Sequence, residues 1–108
     1  MMPKLPPGAV RMSERDLPMK SKLLLQYYGG EAIWDYDSID ALLKSEGKGD
    51  SDYWKWTARF WLKELRINGF VEIVEEDLDD GSHFAKDKAV TKYRVTDYGK
   101  TVIDSMLR

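Results

Sequence analysis

The chain has no cysteine and only a single histidine, His83, among its 108 residues. Without cysteine, neither a disulfide nor a thiolate metal site can form, and the composition fits a reducing, cytoplasmic compartment. A cluster of several histidines and a His–Cys catalytic pair are excluded on the same grounds. We therefore expect His83 to be a solvated loop residue.

Long apolar runs and glycine-rich phosphate loops are missing as well. No stretch has the length of a signal peptide core or a membrane span. The segment DLDDGS, residues 77–82, shares only its start with a calcium loop, because no glutamate stands at the twelfth position. It is expected to be an acidic turn. The sequence therefore predicts no enzyme, no cofactor, no metal site and no membrane partner.

The formal net charge is only –2, but the charges are unevenly distributed. Residues 51–70 carry four basic and two acidic side chains, giving +2, whereas residues 1–50 sum to –1 and residues 71–108 to –3. The central segment is thus a small basic island. That pattern is compatible with a helix that faces DNA, and equally with an ordinary solvated face.

The composition predicts a single folded domain preceded by a flexible arm. Apolar residues make up 43% of the chain and aromatic residues 12%, enough for a modest core. Residues 1–15 are rich in proline and lack periodicity, so we expect an extended arm there. The domain is expected to span residues 16–108.

The strongest pattern is a helix over residues 52–68. Its apolar positions recur at the spacing of one helix face, which predicts the core-facing stripe Trp54, Ala58, Trp61, Leu62 and Leu65. Asp50, Ser51 or Asp52 is expected to cap its start, and Asn68-Gly69 to end it. Residues 70–74 then alternate apolar and polar, as a half-buried strand does.

The remaining elements follow from weaker signals. Asp16 is expected to cap a helix that runs to Tyr28, and Asp37 or Ser38 to cap a short helix over residues 39–45. Residues 31–36 are expected to form a short strand or a turn. A polar loop over residues 77–91 should lead to a strand at 92–96 and to a last helix, capped by Thr96, from Asp97 onward.

This order predicts an α+β protein that is mainly α, with a three-helix core, a small β-hairpin and a C-terminal helix. Two motifs make the pattern more specific: Leu62-x-x-Leu65-x-x-x-Gly69-Phe70-Val71 and Tyr93-Arg94-Val95-Thr96-x-x-Gly99. Together they resemble the motif pair of winged helix-turn-helix transcriptional regulators of the MarR and PadR type. The resemblance covers about residues 17–108. It implies DNA binding, with helix 52–68 in the major groove and hairpin 70–96 as the wing. The regulator hypothesis adds a homodimer, because two copies would double the small positive charge of one chain.

Basic side chains beside the core stripe are the candidates for DNA contact. Lys55, Arg59, Lys63 and Arg66 follow one another along the helix, and two lysines stand in the second half of the wing loop. Under the regulator hypothesis, the residues expected at double-stranded DNA are Ser51, Lys55, Trp56, Arg59, Lys63, Lys86 and Lys88. The alternative is a solvated face without a ligand.

A second apolar stripe on the same helix, Trp56, Phe60 and Ile67, favours a different function. One apolar face suffices to anchor a helix, so this one either packs against the arm or the last helix, or binds a partner protein. The first half of the wing is strongly acidic, which disfavours contact with phosphate. The alternative hypothesis is therefore a winged-helix interaction module without direct DNA binding. For an enzyme accessory or inhibitor the sequence offers no positive sign.

Overall fold

A computed structural model describes residues 16–83 and 89–107 of the chain. This part forms four helices and one antiparallel sheet, in the order α1 (Met19–Leu25), β1 (Ile33–Trp34), α2 (Asp35–Ser45), α3 (Asp52–Ile67), β2 (Val71–Leu78), β3 (Ala89–Val95) and α4 (Asp97–Met106). The predicted α+β class is confirmed. None of these helices has the length and apolar character needed to cross a bilayer. The predicted arm, residues 1–15, and the wing lysines Lys86 and Lys88 lie outside the described residues.

All four helices and the sheet contribute to one continuous core. Its buried members are Leu23, Leu24, Tyr27, Ile39, Leu42, Leu43, Ala58, Leu62, Leu65, Val71, Tyr93, Val95 and Ile103. The core face predicted for α3 is confirmed, since Ala58, Leu62 and Leu65 are buried and the two tryptophans pack half-buried against them. Anchoring by these positions leaves the opposite face of α3 outside the core.

The ends of α3 are fixed by local hydrogen bonds that the sequence predicts. The Ser51 hydroxyl accepts from the backbone N–H of Trp54 at 3.3 Å. At the other end Gly69 adopts a φ of +79°, and the N–H groups of Gly69 and Phe70 donate back to Arg66 and Leu65. This pair of bonds is the Schellman arrangement, which glycine favours because it lacks a Cβ. The chain thereby turns directly from α3 into β2.

The three strands lie in the order β1-β3-β2. Ile33 of β1 and Ile73 of β2 both lie opposite Tyr93 of β3, which is therefore the central strand. The register then shifts between Ile73 and Glu75, so that Val74 is an extra residue. Such a bulge bends the strand and breaks its alternation.

The hairpin is longer than the sequence predicts. Strand signals cover only residues 70–74 and 92–96, whereas the paired strands reach Leu78 and begin again at Ala89. Beyond the bulge, β2 exposes acidic side chains on both faces. The sequence of this part of β2 therefore shows no alternation of apolar and polar residues and resembles the sequence of a loop.

The first two helices also differ from expectation. The first helix is shorter, because Gln26, Tyr27 and Tyr28 bond back three residues instead of four and form a tight turn. The second begins at Asp35 rather than at residue 39, and Trp34 is its N-cap. Ser38 lies inside α2, where its hydroxyl donates to the carbonyl of Asp35. The predicted capping role of Asp37 or Ser38 is therefore wrong.

Thr96 joins the start of α4 to the end of α3. Its hydroxyl accepts from the N–H of Gly99 at 3.0 Å, which confirms the predicted cap, and donates to the carbonyl of Gly69 at 2.6 Å. Gly99 lies so close to Phe70, the residue before β2, that a Cβ there would overlap the Phe70 carbonyl oxygen and approach Val95 Cγ2 to 2.8 Å. The glycine of this motif is thus required by packing.

Substitution of Gly99 by alanine tests that requirement. We expect Gly99→Ala to lower the free energy of unfolding by about 1–3 kcal/mol, because backbone atoms must move to admit the methyl group. Urea unfolding followed by tryptophan fluorescence gives the value. Gly29→Ala is the matched control, since a Cβ at Gly29 meets nothing within 4 Å. Equal effects of the two substitutions would contradict the packing role.

Candidate binding face of the third helix and the hairpin

The outward face of α3 is apolar and exposed. Tyr53, Trp56, Phe60 and Ile67, here called the apolar stripe, have exposed fractions of 70%, 43%, 63% and 78%. Their spacing places them on one side of the helix. Because all four are exposed, the alternative that the last helix buries the predicted set Trp56, Phe60 and Ile67 is wrong. The alternative of packing against the arm concerns residues 1–15, which lie outside the described residues. So much apolar surface on one helix favours a binding partner.

Two cations border the apolar stripe. Lys63 and Arg66 are both exposed on the second half of α3. In residues 16–83 and 89–107, neither side chain belongs to an ion pair. These two residues are therefore the positive charges that α3 offers to a ligand.

Arg59, which the sequence predicts at the DNA, points instead toward the interior. Its Nε lies 3.3 Å from Oδ2 of Asp35, and its Nη2 donates to the backbone carbonyl of Ala89. Only 12% of the Arg59 side chain and 3% of the Asp35 side chain are exposed. The guanidinium is therefore occupied in joining α3 to α2 and β3.

Asp35 is the centre of this junction. Its Oδ1 accepts from the N–H of Tyr36 at 2.7 Å, and its Oδ2 also accepts from the N–H of Thr91 at 3.3 Å. Burial raises the pKa of Asp35, while the Arg59 guanidinium opposes that shift. Arg59 therefore compensates the negative charge of the Asp35 carboxylate inside the protein.

The other residues predicted at the DNA have mixed surroundings. Ser51 caps α3. Lys55 is half-buried near Asp40, where burial raises the pKa of the carboxyl and the Lys55 ammonium opposes the shift. The Trp56 ring lies 5.5 Å from the guanidinium carbon of Arg59. Of the predicted set within the described residues, Trp56 and Lys63 are exposed enough to meet a large ligand without rearrangement.

Strand β2 gives the hairpin a negative surface. Glu72, Glu75, Glu76 and Asp77 are all exposed. Arg94 pairs with Glu72 at 2.8 Å, and Lys92 lies over the Trp34 ring at 5.4 Å, so these cations are engaged nearby. Charge along an edge strand opposes pairing with another sheet. The same charge repels nucleic-acid phosphates.

The end of the hairpin holds a cluster that the sequence does not predict. Asp79 Oδ1 lies 3.0 Å from Nδ1 of His83, and the imidazole stacks on Tyr36 with ring centroids 3.5 Å apart. A cavity of about 240 Å³ lies here, lined by these residues together with Trp34 and Asp80. The expected solvated histidine is instead half-buried. The close spacing of Asp79, Asp80 and His83 in the sequence is a signal for this cluster. No sequence pattern points to the contribution of Tyr36.

The outward face of α3 and the hairpin loop are therefore candidate sites. Comparison of the chain with known protein families, with curated proteins and with solved structures found no match. The function is inferred below from the chemistry of these surfaces and from their place in the fold.

Removing the cation of the buried pair tests its structural role. We expect Arg59→Met to lower the free energy of unfolding by about 3–5 kcal/mol at neutral pH, because the Asp35 carboxylate stays buried without compensation. Without the guanidinium, the pKa of Asp35 in the folded state rises further above its ordinary value of 3.8. Protonation of Asp35 then stabilises the variant fully below 3.8, and this stabilisation is lost as the pH rises through the folded-state pKa.

The deficit of Arg59→Met against wild type should therefore shrink as the pH falls toward 3.8. Urea unfolding at several pH values measures this. Lys63→Met removes an exposed cation from the same helix and should change stability by less than about 0.5 kcal/mol. A deficit that does not vary with pH would refute the assignment to Asp35.

Proposed function

We propose that this chain is a winged-helix DNA-binding domain that acts as a transcriptional regulator. The order α1-β1-α2-α3-β2-β3, with β3 between β1 and β2, is the order expected for a winged helix-turn-helix domain. In such an arrangement α3 is the recognition helix and the β2–β3 hairpin is the wing. The motif pair around Gly69 and Gly99 supports the same assignment.

The observation that carries the proposal is that α3 is anchored on one side and exposed on the other. Its inward face is held by Ala58, Leu62 and Leu65, and its outward face is exposed over the whole length of the helix. The major groove, about 12 Å wide, admits a helix presented in this way. Arg59 contributes indirectly, because its pair with Asp35 sets the position of α3.

The side chains on the outward face of α3 suggest which part of the DNA each would contact. Lys63 and Arg66 would contact phosphates, which position the protein on the duplex. Trp56 and Phe60 would pack on sugars and thymine methyl groups. Lys86 and Lys88, in the second half of the wing loop, are proposed to reach the neighbouring backbone. Strand β2, with its exposed carboxylates, would face away from the DNA.

A homodimer would double the small positive surface of one copy. In that form two copies of α3 would enter successive major grooves, roughly 34 Å apart. Paired half-sites would then compensate for the few cations that each helix offers.

A salt titration tests direct DNA binding. We expect binding of the chain to a mixed-sequence duplex, measured by fluorescence anisotropy, to weaken steeply as salt increases. Lys63→Ala should make the plot of log K against log salt shallower by about 0.9 for each phosphate that Lys63 neutralises. The tested residue is exposed, so its substitution leaves the fold intact.

Lys100→Ala is the charge-matched control, because Lys100 lies on α4 beside Gly30. It should leave the slope unchanged. Equal effects of the two substitutions would indicate a non-specific charge effect and not contact through α3. Absence of binding at low salt would overturn the proposal.

A second function, self-association through the apolar stripe, is favoured by the exposed fractions of Phe60 and Ile67 and by the acidic hairpin. Two antiparallel copies of α3 crossing at Phe60 would bring Lys63 of one copy near Trp56 of the other, a cation–π contact. Ile67 would meet Tyr53 of the partner. In this arrangement the face would be unavailable to DNA, and the domain would be an interaction module.

Phe60→Ala distinguishes the two functions. If α3 is the dimer interface, the variant should remain monomeric at concentrations where wild type dimerises, as measured by sedimentation velocity. Leu78→Ala is the control, since Leu78 is equally apolar and 74% exposed but lies on the hairpin. A Phe60→Ala dimer as stable as the wild-type dimer would exclude α3 as the interface and leave it free for DNA.

A further inference from the structure

The hairpin loop brings together three groups of the kind that bind metal ions. Asp79, Asp80 and His83 each place one ligand atom within 4.8 Å of the others. Two carboxylates and an imidazole form a mixed oxygen and nitrogen set. Such a set suits divalent first-row transition ions, whereas sites for Mg²⁺ and Ca²⁺ consist of oxygen atoms.

The buried carboxylate of Asp79 is the independent sign that something is held there. Asp79 is 8% exposed as a residue, and its side chain is fully covered. Its Oδ1 accepts from the N–H of Gly81 and contacts His83, whereas its Oδ2 has no hydrogen-bond partner among the described residues. A buried carboxylate oxygen without a donor is rare and requires an explanation, of which a bound ion is one.

The spacing of Asp79 and His83 fits a shared cation. Their nearest atoms are 3.0 Å apart. Two ligands at about 2.1 Å from one metal stand about 3.4 Å apart at the tetrahedral angle, so a separation of about 0.4 Å more would let a cation replace the present hydrogen bond. Asp80 is exposed, so its carboxylate can rotate toward the other two. Water would complete the coordination, as in metal sites with three protein ligands.

Tyr36 stacks on the histidine and lines the same cavity. Its ring lies nearly parallel to the imidazole, with an angle of 21° between the planes. This stacking restricts the rotation of His83 and holds the ring beside Asp79. Restraint of a ligand by its neighbours is a regular feature of metal sites.

We propose that Asp79, Asp80 and His83 bind one divalent transition-metal ion of the Zn²⁺ class at the end of the β2–β3 hairpin. Asp79 supplies the buried ligand, Asp80 the exposed one and His83 the nitrogen. The site does not depend on whether α3 binds DNA.

Zinc titration of the untagged full chain tests the proposal. Isothermal titration calorimetry with Zn²⁺ should give one equivalent bound, whereas Mg²⁺ under the same conditions should give no comparable heat. Because His83 is the only histidine, its imidazole resonances in a proton–nitrogen NMR spectrum are assigned without ambiguity. They should shift when Zn²⁺ is added.

Variants locate the ion. His83→Ala and Asp80→Asn should each weaken Zn²⁺ binding by about tenfold or more. Glu76→Gln removes the same charge from an exposed position outside the cluster and should leave the affinity unchanged. Asp79→Asn should also weaken binding, and if that variant disturbs the loop, the His83 and Asp80 variants provide the test.

Three outcomes would overturn the site. The first is the absence of stoichiometric Zn²⁺ binding. The second is an affinity that falls equally in Asp80→Asn and Glu76→Gln, which would indicate diffuse attraction to the acidic hairpin. The third is binding without any movement of the His83 resonances.

Discussion

The buried pair of Asp35 and Arg59 joins α2, α3 and β3 and thereby constrains how the candidate binding helix lies in the fold. One carboxylate joins the start of α2, the middle of α3 and the backbone of β3, and Arg59 extends the junction to Ala89. A buried ion pair adds little net stability, because desolvation offsets much of the attraction. Its geometry is specific, however. We infer that the pair determines how α3 lies against the sheet more than how stable the protein is.

This constraint decides which residues α3 presents to a partner. Since Arg59 is directed inward, the outward face is left with the apolar stripe and with Lys63 and Arg66 near its end. The hairpin beside it is acidic. A DNA ligand would therefore be held mainly by the second half of α3, and a protein ligand mainly by the aromatic side chains. In both cases the same helix face would carry the contact.

Local signals are enough to predict the ends of α3 and the start of α4, because Ser51, Asn68-Gly69 and Thr96 act within their own turns. The start of α2 is not predictable in this way, because Asp35 resembles a polar loop residue until its partner is known, and Arg59 lies 24 residues away. The predicted hairpin is too short because the bulge at Val74 and the exposed acidic residues after it erase the alternation. The sequence predicts that Arg59 contacts DNA because Arg59 belongs to a stripe of basic residues on α3. The stripe does not show which of these side chains turns inward.

The cluster of Asp79, Asp80, His83 and Tyr36 cannot be predicted from local sequence either. Its position also bears on the function. His83 and Tyr36 come together only because β2 extends past the bulge and carries the loop back over the start of α2. That placement puts a candidate metal site at the end of the most acidic element of the protein. A divalent cation held by Asp79, Asp80 and His83 would offset part of the negative charge that keeps the hairpin from phosphate. If both proposals hold, metal binding would strengthen DNA binding without any residue of α3 touching the ion. If the apolar stripe serves a second copy of the chain instead, the dimer would be indifferent to the metal, because its contacts do not involve the hairpin loop.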